Sequence, residues 1–270
     1  MESTIASSLN LKFNPVAITW SDEKPRNALQ FKQGRWGCVM SLFAHAAKGQ
    51  TAVFDRKTFG CWGGGVGLGF GNQYMNVPGG IKEFYRFLST GNNISGMRRM
   101  VAEKICSFIG TGLLNEALHG ERYIQSPERV KKFVESLPIT DIPAPYVVLK
   151  PLQEVDQSKE EPIIVIFLAN PDQLSALVTL ANYGNGSFEN VIIPYAAACQ
   201  TIGIFPYREA GQKNPRAVIG LTDLTARKSV RSQLGKDTLT FAVPLKMFRE
   251  METHVEGSFL QRETWNALKK

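Results

Sequence analysis

The sequence predicts a protein of the α/β or α+β class, in which helices pack on a mixed β-sheet. Short runs of β-branched and aromatic residues alternate with helical segments along the chain, which is the main observation behind this prediction. The 270 residues are 43% hydrophobic and 20% charged, which is enough for a sizeable core and typical of a globular protein. With 24 glycines and 14 prolines, the chain also has many turns to separate these elements.

Apolar runs bounded by turn residues predict the strands, and capping residues help to predict the helices. Ser126 and Pro127 are typical of a helix start, and Gly49 is typical of a position just after a helix end. The predicted strands are residues 15–20, 51–54, 146–149, 163–168, 191–194, 217–221 and 238–243. The predicted helices are residues 38–48, 80–88, 96–109, 126–136, 170–183, 196–204, 244–255 and 263–270.

Residues 60–71, GCWGGGVGLGFG, contain seven glycines in twelve positions. Fixing so many glycines costs too much backbone entropy for a stable helix or a regular strand, so we expect a loop held by its surroundings. The spacing fits neither a dinucleotide-binding fingerprint nor an NTPase phosphate loop. The backbone amides of such a loop can approach a ligand closely, so Gly63, Gly64 and Gly65 are candidate ligand-binding positions.

The proline-rich stretch 138–145 is the best internal boundary. It separates an N-terminal half, residues 1–140, from a C-terminal α/β half, residues 141–270, and we expect the two to form one compact unit. The halves are loosely similar, because Cys38 precedes Cys61 by 23 positions and the same step from Cys199 leads to Thr222, next to Asp223. If the halves face each other, the cysteines converge.

The bulk composition limits location and partners. No apolar run approaches the roughly 20 residues that span a bilayer, and the N-terminus lacks a signal-peptide pattern, so we expect a cytoplasmic protein without a membrane partner. The net charge of +7 comes from scattered basic residues, which argues against nucleic acid and is compatible with a small-molecule or anionic ligand. The apolar helix 244–255 and the aromatics Phe259 and Trp265 would allow a homodimer.

Cysteine is the residue type on which any chemistry would depend. No histidine-based zinc motif, serine-hydrolase elbow or C-x-x-C pair occurs in the sequence. Cys61 lies among glycines, Cys38 begins a helix and Cys199 lies among small residues, so all three are candidate metal ligands. Each could instead be a packing residue. Cys106 has the helical spacing of a core residue and is not a candidate.

The order of these motifs resembles the family named domain of unknown function 169, which occurs in archaea and anaerobic bacteria. The resemblance covers nearly the whole chain and is most specific at the glycine-rich segment and at the Asn-Pro-x-Gln turn. It rests on residues 15–18, 38–49, 60–70, 147–151, 170–173 and 198–199. No established activity comes with this family, so the resemblance leaves open which residues are catalytic, if any, and whether the protein is an enzyme.

The resemblance also implies a number of ligands. Members of the family commonly carry a further cysteine in a segment that ends in Gly-Asp-Arg. In the comparable stretch 220–227, Asp223 and Arg227 are present but that cysteine is absent. The resemblance therefore implies a site of three cysteines, Cys38, Cys61 and Cys199, with an open coordination position near Thr222 and Asp223.

Two metal centres suit such a site. A [4Fe–4S] cluster with three cysteine ligands leaves one iron free for an external ligand, and the anaerobic distribution of the family favours this cofactor. Zinc held by three thiolates is the alternative.

Two other functions remain open from the sequence. The chain could be a small-anion binding or sensing domain, in which Arg35, Arg208 and Arg227 hold the anion and the cysteines are structural. It could also be a thiol enzyme with Cys61 as the nucleophile and His45 as its base.

Overall fold

The computed structural model describes residues 1–92, 97–109 and 114–269, and within these residues seven strands form one mixed sheet. The strands are β1 (Val16–Ser21), β2 (Ala52–Phe54), β3 (Tyr146–Pro151), β4 (Ile164–Ala169), β5 (Val191–Ile192), β6 (Ala217–Gly220) and β7 (Leu239–Pro244). Their order across the sheet is β2-β3-β1-β4-β7-β6-β5. Neighbouring strands are antiparallel except for β5 and β6, which are parallel. The predicted α/β class is confirmed.

The helices of the described residues follow in chain order. They are α1 (Thr4–Leu9), α2 (Val39–Ala46), α3 (Trp62–Gly67), α4 (Ile81–Leu88), α5 (Met97–Ile109), α6 (Leu114–His119), α7 (Pro127–Ser136), α8 (Pro171–Tyr183), α9 (Ala198–Ile202), α10 (Ile204–Ala210), α11 (Leu224–Leu234), α12 (Leu245–Thr253) and α13 (Glu263–Leu268). Each predicted helix is present with ends shifted by a few residues, while Gly96 and Lys270, the outer ends of two of them, lie outside the described residues. The sequence did not predict α1, α6, α10 or α11. No helix in the described ranges is long and apolar enough to cross a membrane.

The expectation of a loop throughout residues 60–71 is wrong, because Trp62–Gly67 form α3. The physical reason lies in how closely this helix packs on α9. A Cβ atom on Gly67 would lie only 2.6 Å from the carbonyl carbon of Cys199, so the two backbones approach as only glycine permits. This packing stabilises a helix that intrinsic propensity disfavours. Gly69 and Gly71, with φ angles of 89° and 74°, then turn the chain away.

The sheet is buried on both faces, which gives the protein three layers. Val16 and Ile18 of β1 face one hydrophobic core, whereas Ala17 between them faces the other. The second core is covered by α1, α8, α12 and α13. The first core is covered by α2, α3, α4, α7, α9, α10 and α11. All helices that carry candidate site residues therefore lie on one face of the sheet.

Two aromatic residues that suggested a dimer surface belong instead to the second core. Trp265 is 3% exposed, and its indole Nε1 donates a hydrogen bond to the carbonyl oxygen of Ser8 at 3.0 Å. Phe259 is partly buried against the same core. The reason that the sequence offered for a homodimer does not hold at these two positions.

Six of the seven strands are arranged symmetrically about the central pair β1 and β4. On one side β3 and then β2 follow β1, on the other β7 and then β6 follow β4, and β5 is an additional edge strand. The helices repeat this relation: α2 lies between β1 and β2 in the chain, and α9 lies between β4 and β6. Likewise α3 lies between β2 and β3, and α11 between β6 and β7. The packing across the halves matches as well, because α3 contacts α9 and α2 contacts α11.

The strand β3 follows the proline-rich stretch 138–145, yet it lies between β1 and β2 in the sheet. The strand that pairs with both β1 and β2 is therefore contributed by residues after the proline-rich stretch.

Candidate functional site

Cys38 is the N-cap residue of α2, with the extended backbone (φ −85°, ψ 124°) that a helix start requires. Its side chain is partly exposed and lies near Ser229 of α11. Burial raises the pKa of the Cys38 thiol, the backbone amides of Met40 and Ser41 act in the opposite direction, and the charge of Asp223 raises it further.

Cys61 is the N-cap residue of α3, and its Sγ accepts a hydrogen bond from the backbone N–H of Gly64 at 3.2 Å. Burial raises the pKa of this thiol to about 12, and the charge of Cys38 adds to the shift. The amide of Gly64 opposes the shift without overcoming it. In the absence of a positive partner, Cys61 is therefore a neutral thiol at physiological pH.

Cys199 lies in the first turn of α9 and is 7% exposed. Its thiol donates a hydrogen bond to the carbonyl oxygen of Gly63 in α3 at 3.1 Å. Burial raises its pKa well above the usual value, and the charges of Cys61 and Cys38 are the next causes. The charge of Cys38 thus raises the pKa of both other cysteines, and the charge of Cys61 raises the pKa of Cys199.

Asp223 completes this group as the N-cap residue of α11. Its carboxylate accepts hydrogen bonds from the backbone N–H of Ala226 at 2.7 Å and from that of Ala198 at 2.6 Å, so it joins the starts of α11 and α9. Burial raises the pKa of Asp223, although these two amides lower it. In the symmetric sheet, Asp223 occupies in the second half the position that Cys61 occupies in the first.

The members of this group lie at helix starts that follow strands of the sheet. Cys199 and Asp223 follow the parallel strands β5 and β6, respectively. Helix N-termini stabilise nearby negative charge, including that of thiolates.

The other candidate positions differ in what they offer. The Gly64 amide faces Cys61, while a Cβ on Gly65 would contact Gln73 and Phe59, so Gly65 faces the protein interior. Thr222 is exposed beside Asp223.

Arg227 uses its guanidinium within the fold. It donates hydrogen bonds to the carbonyl oxygens of Leu221, Thr238 and Lys236, and so closes the turn before α11. This turn contains Leu221 at a φ of 60°, a conformation that a non-glycine residue rarely adopts. Arg227 therefore holds the segment that positions Asp223.

Sequence reasoning missed four polar residues near the cysteines, namely Tyr74, Gln200, Glu121 and Thr225. Tyr74 is buried and stacks on Phe84, and Gln200 directly follows Cys199 and donates its Nε2–H to the Tyr74 hydroxyl at 2.8 Å. Glu121 accepts a hydrogen bond from the hydroxyl of Thr225 at 2.8 Å. A polar amide next to Cys199 in an apolar helix was a signal that could have found Gln200, whereas no local pattern marks Tyr74 or Glu121.

Residues proposed for other roles lie apart from this group. His45 is in the last turn of α2, and its Nδ1 pairs with the side-chain oxygen of Gln50 at 2.8 Å. Arg208 pairs with the buried carboxylate of Glu209 at 3.0 Å. Cys106 is 5% exposed in a small separate core, as its helical spacing predicted.

The arrangement lacks the close grouping of a single-ion site. Within residues 1–92, 97–109 and 114–269, no three His, Cys, Asp or Glu side chains form a group that could hold a metal ion. All four cysteines of the chain are free thiols. Cys38, Cys61, Cys199 and Asp223, which we call the cysteine group, thus combine three thiols and a carboxyl group at helix starts.

The fold and the cysteine group define a three-layer α/β protein with a cysteine-centred candidate site at helix starts. The model of the domain of unknown function 169 family, described as "Uncharacterised ArCR", matches residues 4–254. The chain therefore belongs to this family. The comparisons with curated proteins and with solved structures give no match.

Proposed function

We propose that this protein binds a metal centre, with a [4Fe–4S] cluster as the favoured form, through Cys38, Cys61 and Cys199 in the reducing cytoplasm. The observation that carries the proposal is the convergence of these thiols from three distant parts of the chain. Cys199 donates its thiol hydrogen to the carbonyl oxygen of Gly63, two residues after Cys61, and α9 contacts both α3 and α2. Thiolates are the preferred ligands of iron–sulfur clusters.

The electrostatics of the cysteine group support a positively charged partner. Burial raises the pKa of the three thiols and of the Asp223 carboxyl group, and the charge of another member of the group raises the pKa of each thiol further. A bound metal centre would reverse this effect on the thiols, because its positive charge stabilises deprotonated ligands.

The preference for a cluster over zinc comes from the anaerobic distribution of the family that the sequence resembles. Thiolates suit both centres, because zinc and the iron atoms of clusters both bind sulfur. Zinc remains the alternative centre.

The surrounding residues would have distinct tasks. The Gly64 amide would donate a hydrogen bond to the Cys61 sulfur, as it does in the structure. Asp223 and the exposed Thr222 would lie at the side that lacks a fourth cysteine, where a small-molecule or anionic ligand could enter. A cluster with three cysteine ligands supplies an iron that can bind such a ligand or exchange electrons.

The test is the metal content of matched cysteine variants purified without oxygen. We expect the wild-type protein to be coloured and to contain iron and acid-labile sulfide, and we expect Cys61→Ser to lose most of both. Serine is a good N-cap residue, so this variant keeps the start of α3 and its loss of metal is not a loss of fold. Cys38→Ser and Cys199→Ser should behave in the same way.

Cys106→Ser is the matched control, because Cys106 lies in a separate core. It should retain wild-type iron and sulfide. A colourless wild-type protein without metal, or a Cys61→Ser variant with unchanged metal content, would contradict the proposal. Zinc without sulfide in the wild-type protein would select the alternative centre.

The other two functions have less support from the contacts. Of the arginines suggested for anion binding, Arg208 pairs with Glu209 and Arg227 binds backbone carbonyls. For a thiol enzyme, Cys61 would need a lowered pKa, whereas its pKa is raised to about 12, and His45 pairs with Gln50 at the far end of α2.

A further inference from the structure

Tyr74 lies beside the cysteine group and is held there by two contacts. Its ring stacks on Phe84, with ring centroids 3.9 Å apart and planes 14° from parallel, and the residue is only 3% exposed. Its hydroxyl oxygen accepts the Nε2–H of Gln200 at 2.8 Å. The Gln200 side chain cannot turn around, because its Oε1 accepts the backbone N–H of Ala197 at 3.0 Å.

The hydroxyl hydrogen of Tyr74 has no acceptor among the residues that the structure describes. Gln200 presents a donor to this hydroxyl, so the hydroxyl must direct its own hydrogen elsewhere. A buried donor without a partner has a free-energy cost, and native proteins satisfy nearly all of their buried polar groups. An acceptor that enters with a ligand would remove this cost.

The position of the hydroxyl indicates which ligand supplies the acceptor. A Cβ built on Gly63 would lie 3.8 Å from the Tyr74 hydroxyl and 3.9 Å from Cys61 Sγ, so both groups border the same side of α3. Cys199 donates its thiol hydrogen to the carbonyl oxygen of this same glycine. Burial raises the pKa of Tyr74, and the charges of Cys199 and Cys61 raise it further, which agrees with this position.

We propose that the Tyr74 hydroxyl donates a hydrogen bond to the sulfur-containing centre bound by Cys38, Cys61 and Cys199. This inference rests on the proposed function and assigns Tyr74 as a positioning residue that sets the properties of the centre. The acceptor is a thiolate or inorganic sulfide sulfur, whose lone pairs accept hydrogen bonds. Such bonds to the sulfur atoms are among the factors that set the reduction potential of a cluster.

The test uses Tyr74→Phe, which keeps the ring that stacks on Phe84 and removes only the hydroxyl. After anaerobic loading with iron and sulfide, we expect this variant to take up as much iron as the wild-type protein. We expect its reduction potential to be lower, because a hydrogen-bond donor stabilises the more negative, reduced state. The iron–sulfur stretching bands in resonance Raman spectra should shift as well.

Tyr207→Phe is the matched control. Tyr207 is also buried, packs edge-on against Trp20 at 5.1 Å, and has no cysteine among the causes of its raised pKa. Its variant should keep the wild-type potential.

Two results would overturn the inference. An unchanged potential and Raman spectrum in loaded Tyr74→Phe would do so while normal iron content leaves the proposed function intact. A wild-type protein that takes up no iron would overturn the inference and the proposed function together.

Discussion

Glu121 is an acidic residue near the cysteine group, and its pKa lies close to neutral pH. Burial raises its pKa from 4.5 to about 7, and the charges of Asp223 and Glu116 add to the shift. The hydrogen bond from Thr225 acts in the opposite direction. Such a carboxyl group changes its charge within the physiological range, so it links the stability of the fold to pH.

The sign of this link follows from the two pKa values. Between pH 4.5 and about 7, the folded protein keeps a proton on Glu121 that the unfolded chain has lost. The free energy of unfolding therefore falls as pH rises through this window, by at most roughly 3–4 kcal/mol at 1.36 kcal/mol per pKa unit. Urea unfolding of the metal-free protein at several pH values measures this decrease.

Glu121→Gln should remove this contribution, so its stability relative to the wild-type protein should increase from pH 5 to pH 8. Glu256→Gln, at an exposed position, is the control and should follow the wild-type curve. A wild-type curve that Glu121→Gln leaves unchanged in shape would contradict a raised pKa at Glu121.

At the scale of elements, α3 offers two glycines with opposite expectations. A Cβ on Gly63 would have no neighbour closer than 3.8 Å, whereas a Cβ on Gly67 would lie 2.6 Å from the backbone of Cys199. Gly63→Ala should stabilise the metal-free protein by up to about 1 kcal/mol, because alanine favours the helix. Gly67→Ala should destabilise it by about 1–3 kcal/mol, because α3 and α9 must move apart.

Both variants can be compared by urea unfolding at one pH, and each serves as the control for the other. Equal effects of the two substitutions would mean that α3 does not pack on α9 through Gly67. Gly67→Ala should also lower the metal content of the loaded protein, since it displaces the backbone of Cys199.

Physical reasons explain which elements could be predicted from the sequence and which could not. The strands were predicted well because their β-branched runs are long enough to mark them, as in β4 (Ile164–Ala169). The helix α3 was missed because its stability comes from α9, which lies far away in the chain. The helix α11 was missed although Asp223 caps it, because its polar sequence lacks a strong apolar pattern.

At the scale of the whole molecule, the similarity between the halves allowed the sequence to predict that distant cysteines converge. The 23-residue step from Cys199 led to within one residue of Asp223, the N-cap residue that corresponds to Cys61. Tyr74 and Glu121 could not be predicted in this way, because tertiary packing alone brings them near the cysteine group. The topology thus explains why the sequence could single out these cysteines as candidates but not the polar residues around them.

This correspondence predicts the effect of a fourth thiol. Asp223→Cys places a cysteine at the start of α11, as Cys61 is at the start of α3. We expect the loaded variant to keep its iron but to lose the binding of cyanide as an external ligand, because the new thiolate takes the open position. Asp223→Ser, which keeps an N-cap oxygen without a sulfur, should still bind cyanide. Visible and electron paramagnetic resonance spectra would monitor cyanide binding. Equal binding by Asp223→Cys and the wild-type protein would exclude an open position beside Asp223.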